Sequence, residues 1–170
     1  ETLRLARARV AAAMLFLSGM RADALATLPI SCVDLDQRTL YQLPELGVRT
    51  KNSKAAKTHL LEIPDLLDVV YAWDQQVRAV LPANALWYAP ITSDSDNLVA
   101  CYRAVKGRHD VVSDDLRLLC ERADVPYLSS HKMRHGHVVW ALKQARDLED
   151  LKAISQNVMH SSVVITDGTY

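Results

Sequence analysis

The chain has 170 residues, 49% of them apolar and 24% charged, and its 20 basic residues balance its 20 acidic ones. That length suits one domain with a sizeable core, and zero net charge rules out nucleic-acid binding through bulk basicity, so any such contact must rest on local patches. No apolar run reaches the roughly 20 residues needed to cross a bilayer.

Leu3, Val10, Met14 and Leu17 recur at helical spacing, predicting a core helix from Leu3 to Leu17 that stops near Ser18-Gly19. Arg4, Arg7 and Arg9 before Val10–Leu17 mimic a secretory leader, but the helical period argues for a core helix. A short helix follows from Arg21 to Leu28, closed by Pro29. Thr39–Gln42, Val48–Thr50 and Thr58–Ile63 are strand candidates, with Lys51-Asn52-Ser53-Lys54 as the polar turn between the last two. Asp65–Leu81 is the clearest helix, its stripe being Leu66, Val70, Trp73, Val77 and Val80.

Pro82–Asp96 reads as a long connection, Asn97–Val105 as helical, and Lys106-Gly107-Arg108-His109 as a basic turn. Ser113 is placed to cap a helix running to Ala123, with Asp114 and Asp115 in its first turn. Asp147 caps a last helix, with Asp150 three residues on. The predicted fold class is mainly α with a small antiparallel sheet. Taken singly, the clusters Arg4/Arg7/Arg9, Lys51/Lys54/Lys57 and Arg103/Lys106/Arg108 read as solvated faces or loops. Cys32, Cys101 and Cys120, odd in number and widely spaced, read as buried thiols of a reducing compartment.

The chemistry concentrates in Ser129-Ser130-His131-Lys132-Met133-Arg134-His135-Gly136-His137. The serines can cap a helix start, and His131 and Arg134, three apart, project together from it. Free N–H groups, the dipole, an imidazole and a guanidinium fork make a site for a phosphate-like oxyanion. His131 and His135 also share the spacing of zinc hydrolases. Lys132 stands where those enzymes carry glutamate and Arg134 would repel a cation, so no metal and no cofactor is expected. His135, His137, Met133, Val138 and Trp140 are assigned to helix packing.

Four segments, in order, resemble the catalytic domain of the tyrosine recombinases, the phage-integrase family. Ser18-Gly19-Met20-Arg21-Ala22-Asp23-Ala24-Leu25 is similar to the first-arginine box, and Thr50-Lys51-Asn52-Ser53-Lys54 to the lysine hairpin. His131-Lys132-Met133-Arg134-His135-Gly136 matches the His-x-x-Arg-His box. Met159-His160-Ser161-Ser162, with Met159 in the place of the family's glycine, followed by Tyr170, looks like the nucleophile segment.

The resemblance implies a single catalytic domain over residues 1–170, lacking the family's amino-terminal DNA-clasping domain and its tail after the tyrosine. It also implies a cytoplasmic, DNA-associated protein of bacterial or phage origin. Its partners would be double-stranded DNA at specific recombination sites and further recombinase subunits in a synaptic complex, with no membrane. Arg21 and Arg134 would neutralise the non-bridging oxygens of a phosphodiester. Tyr170 would attack it, Lys51 (or Lys54, one register slip away) would protonate the leaving 5′ oxygen, and His131 would bind the phosphate or assist proton transfer. His160 would steady a phosphoryl oxygen. A DNA-binding or assembly module of the same fold, and a type IB topoisomerase-like enzyme, are the alternatives.

Overall fold

A computed structural model describes residues 2–92, 94, 96–103 and 107–159 of the chain. These form six α-helices and a small antiparallel sheet of order β1-β2-β3, whose third strand meets α6. The expected mainly helical class with one small sheet is what the chain adopts.

Helix α1 (Leu3–Ser18) runs through the centre and packs on α3, α4 and α5. Ala8, Val10, Ala11, Met14, Leu15 and Leu17 are fully enclosed, so it is buried on most of its circumference. Thr2 caps its start, accepting from the Leu5 N–H at 3.3 Å. Gly19 ends it at φ 62°, its N–H donating to the Leu15 carbonyl. Helix α2 (Ala22–Thr27) follows at once.

Strands β1 (Val33–Asp34), β2 (Thr39–Gln42) and β3 (Ala56–His59) pair with Leu40 opposite both Val33 and Thr58. The third strand therefore lies earlier than Thr58–Ile63, and Val48–Thr50 forms no strand. The Arg49 N–H is taken by the Thr27 hydroxyl at 2.8 Å, which holds this stretch to α2 and not to a strand.

Helix α3 (Pro64–Val80) starts on a proline, which suits the first turn. Its buried residues are Leu67, Val70, Trp73, Asp74 and Val77, whereas Val80, assigned to the stripe, is 65% exposed. The buried face is rotated because Asp74 holds the following connection inside. Its carboxylate accepts from the Trp87 indole at 2.8 Å and from Arg78 at 2.7 Å, and the Trp73 indole donates to the Trp87 carbonyl. The connection after Pro82 thus contributes Trp87 and Tyr88, both wholly buried, to the core.

Asn97–Ala100 carries only an isolated bridge of Leu98 to Ile91, so no helix begins there. Helix α4 (Arg108–Arg122) starts five residues before Ser113, whose hydroxyl lies inside the helix against the His109 carbonyl. Arg108 and His109 of the basic turn therefore open the helix, which is entered through Gly107 at φ 82°.

Arg7 and Arg108 are buried, not solvated. Arg7 donates to both oxygens of Asp115 (2.7 and 3.2 Å), and Arg108 donates to the Tyr88 carbonyl at 2.7 Å. Both guanidinium groups lie over the Tyr88 ring, whose hydroxyl donates to Asp115 at 2.5 Å. Cys32 and Cys120 are buried and Cys101 is half-buried.

Helix α5 (Ser130–Gln144) is capped by Ser129, which accepts from the Lys132 N–H at 3.3 Å. Gly136 lets it approach α1 closely: a Cβ there would stand 2.9 Å from the Phe16 ring. Helix α6 (Leu148–Asn157) is capped by Asp147, which accepts from Glu149 and Asp150, while the Asp150 carboxylate reaches back to the Arg146 N–H. No helix among the described residues is long and apolar enough to cross a membrane.

Candidate active site

Two helix starts face one cleft. Arg21 is the N-cap residue of α2, exposed, with extended backbone and no side-chain cap bond. His131 and Arg134 come from the beginning of α5. Together with Asp23, His109 and Ser130 they line a hollow of about 230 Å³. Arg21 and Arg134, 113 positions apart in sequence, thus open onto one space that can take a tetrahedral anion. Larger hollows lie elsewhere, including a mainly apolar groove of about 500 Å³ beside Phe16 and Met133.

Arg134 is 94% buried, and its position is fixed by backbone. Nη1 donates to the Gly19 carbonyl at 2.5 Å, and Nη2 donates to the Val158 carbonyl. One side chain therefore fastens the turn before Arg21 to the end of α6, as a planar fork can and an ammonium cannot.

His137 supports this arrangement from the next turn. Its Nδ1 is 2.7 Å from the Phe16 carbonyl, which can only accept, so Nδ1 carries the proton and Nε2 accepts from Asn157 Nδ2 at 3.4 Å. Burial, with the nearby Arg134 charge, lowers its pKa to about 4. His137 and Val138 pack as expected and Met133 lies against the core, but Trp140 is only half-buried and His135 is exposed. A helix face that turns inward at Arg134, His137 and Val138 turns His135 outward.

His109 and Asp23 were not singled out by sequence reasoning as site residues. His109 Nδ1 is 3.3 Å from the Asp23 carboxylate, which sits in the first turn of α2. The only signal was a basic turn, and its location depended on finding the true start of α4. Lys51 and Lys54 are exposed on the β2–β3 hairpin, outside the residues that line the cleft. Lys51–Ser53 forms a 3-10 turn in which Asn52 and Ser53 take positive φ (58° and 51°). Lys57, on β3, places its ammonium 6.0 Å from the Tyr41 ring. His160 and Tyr170 lie outside the described residues. Among the described residues, no group of three or more His, Cys, Asp or Glu side chains is placed to hold a metal ion.

No family model and no curated protein matches the sequence. Solved structures do match the fold. XerA recombinase aligns with a TM-score of 0.60 at 21% identity, over 97% of this chain and 54% of that one. The integrase of mycobacterium phage Brujita aligns at 0.60 and 19% identity, over 95% and 48%. XerH site-specific recombinase bound to its difH substrate in a pre-cleavage complex aligns at 0.61 and 14% identity, over 98% and 43%. The chain thus has the fold of the tyrosine-recombinase catalytic domain and spans about half the length of the solved structures it matches.

Proposed function

We propose that this chain is the catalytic domain of a site-specific DNA recombinase or integrase that cuts and rejoins strands through a 3′-phosphotyrosyl link, without a metal ion. The observation that carries this reading is the convergence of Arg21, His131 and Arg134 on one cleft from two helix starts. A phosphodiester resists attack because its charge repels nucleophiles and its alkoxide leaves poorly. Arg21 and Arg134 offset the charge that builds on the non-bridging oxygens, and His131 donates to one of them. The Tyr170 hydroxyl attacks phosphorus, passing its proton through His131 to solvent and forming a P–O bond to tyrosine as the bond to the 5′ oxygen breaks, and Lys51 gives that oxygen its proton. His160 steadies a phosphoryl oxygen. The new ester keeps the energy of the old one, so a 5′ hydroxyl can reverse the step and rejoin a strand.

The DNA partner is supported by the likeness to XerH, solved with a difH substrate, and to the Tn1549 transposon integrase, solved with circular-intermediate DNA. Specific recombination sites and further subunits in a synapse belong to the same proposal. The test is incubation with a pool of nicked duplexes of randomised sequence in EDTA. A denaturation-resistant protein–DNA adduct is expected, mapping to Tyr170 by mass spectrometry and absent in Tyr170→Phe, which still binds duplex. An adduct on Tyr127 or a serine, or cleavage that needs magnesium or zinc, overturns the reading.

A further inference from the structure

The outer edge of β3 is closed by one side chain. Leu60 donates to the Arg38 carbonyl at 2.9 Å and Thr58 lies opposite Leu40, so the His59 N–H and C=O face away from β2. Both are taken by Asn157, the last residue of α6. Its Oδ1 accepts from the His59 N–H at 2.6 Å, and its Nδ2 donates to the His59 carbonyl at 3.0 Å. A carboxamide offers the same donor and acceptor as a peptide group, so Asn157 stands in for one residue of a fourth strand. The Thr58 hydroxyl, which accepts from Gln42 at 2.7 Å, points to the Asn157 carbonyl at 3.4 Å, and Asn157 Nδ2 also meets His137. At the next residue, Arg134 holds the Val158 carbonyl. Consecutive residues are thus tied to the hairpin and to the anion cleft.

We propose that Asn157 is a positioning residue that keeps the β2–β3 hairpin, and with it Lys51, in register with the end of α6 and so with the anion cleft that Arg134 ties to Val158; this rests on the recombinase reading above, in which His160 and Tyr170 follow α6 in the chain. The proton donor and the nucleophile have to meet opposite sides of one phosphorus, yet they lie on separate parts of the chain. Within the hairpin, β3 pairs with β2 on one side and meets α6 on the other. Without the carboxamide, the His59 groups turn to water and the hairpin keeps its fold but loses its register with α6.

The experiment pairs Asn157→Ala and Asn157→Leu with Lys51→Ala. Amide hydrogen exchange gives the first readout. The His59 amide should exchange roughly tenfold faster or more in both Asn157 variants, whereas the Thr58 amide, bonded towards β2, stays protected and reports that the sheet is folded. The second readout is the single-turnover rate of adduct formation on nicked duplexes selected from the randomised pool with the unaltered chain. Losing Asn157 should slow this step by about tenfold when Lys51 is present and by less than about twofold when it is Ala, since residues acting as a unit are not additive. Fully additive losses, or an unchanged His59 amide, overturn the inference while leaving the recombinase reading intact. An unaltered chain that forms no adduct overturns both.

Discussion

Lys51 is exposed on a turn of two left-handed residues, outside the residues lining the cleft, so its role is open to a direct chemical test. Lys51→Ala should slow cleavage by about 100- to 10,000-fold, the usual worth of a general acid. A substrate with sulfur at the 5′ bridging position needs no leaving-group proton and should restore most of that rate. Restoration in Lys54→Ala, with Lys51→Ala unaffected, would move the role along the hairpin. His137 gives a second residue-scale prediction. Its folded pKa of about 4 lies below the ordinary 6.5, so the unfolded chain binds the proton first. The stability it supports is whole above pH 6.5 and falls as pH drops towards 4, by about 3 kcal/mol in full. Urea unfolding across that window should show a steeper decline for the unaltered chain than for His137→Gln; equal slopes would refute the assignment. His137 was legible as a packing residue only together with His135, which the structure turns outward. His109 was not, because its pairing with Asp23 depends on which turn of α4 meets α2, a tertiary fact with no local signal.

At the scale of elements, α3 and β2 were legible from their apolar stripe and composition, and other ends were legible from caps. Ser129, Asp147 and Gly19 each announce an end through a local hydrogen bond or a left-handed turn. The parts misread carry signals that point elsewhere. Val48–Thr50 has the composition of a strand but is held by Thr27, and α4 opens at Gly107 while Ser113 imitates a cap inside it. Trp87 and Tyr88 lie in a stretch rich in turn formers, and it is tertiary partners, Asp74 and Asp115 among them, that make it core. Ser129→Ala should therefore cost about 1 kcal/mol in urea unfolding by leaving the Lys132 N–H without its cap. Gly19→Ala should cost more. Its φ of 62° is unfavourable for alanine by about 1–2 kcal/mol, and a Cβ would stand 2.6 Å from the His137 ring and 2.9 Å from Val158. A loss no larger than that of Ser129→Ala would contradict this packing. Met159, at φ 57°, holds the same kind of backbone with a side chain attached, which accounts for the glycine that the resembled motif carries there.

Across the whole molecule, zero net charge and a core crossed by ions set the behaviour. Asp115 is the carboxylate on which Arg7 and Tyr88 converge, with Arg108 over the same ring. Burial, together with the charge of Arg7, lowers the Arg108 pKa. Asp115→Asn leaves two enclosed guanidinium groups with no anion between them and should destabilise by about 3–5 kcal/mol, read from urea unfolding; a loss under 1 kcal/mol would mean the pair is not held as described. The same burial changes how DNA binding must be probed. Arg7 is no surface control, whereas Arg117, 55% exposed on α4, is one. Duplex affinity should fall steeply with salt, and Arg21→Glu should weaken it more than Arg117→Glu does. Arg134 adds a consequence at the level of the cell. Because the group proposed to bind the phosphate also joins two distant carbonyls of the folded chain, its loss enlarges the unfolded fraction exposed to quality-control proteases. Variants at this position will therefore be recovered as scarce proteins as well as inactive ones, and a selection scored only on recombination will merge two defects that quantitative immunoblotting separates.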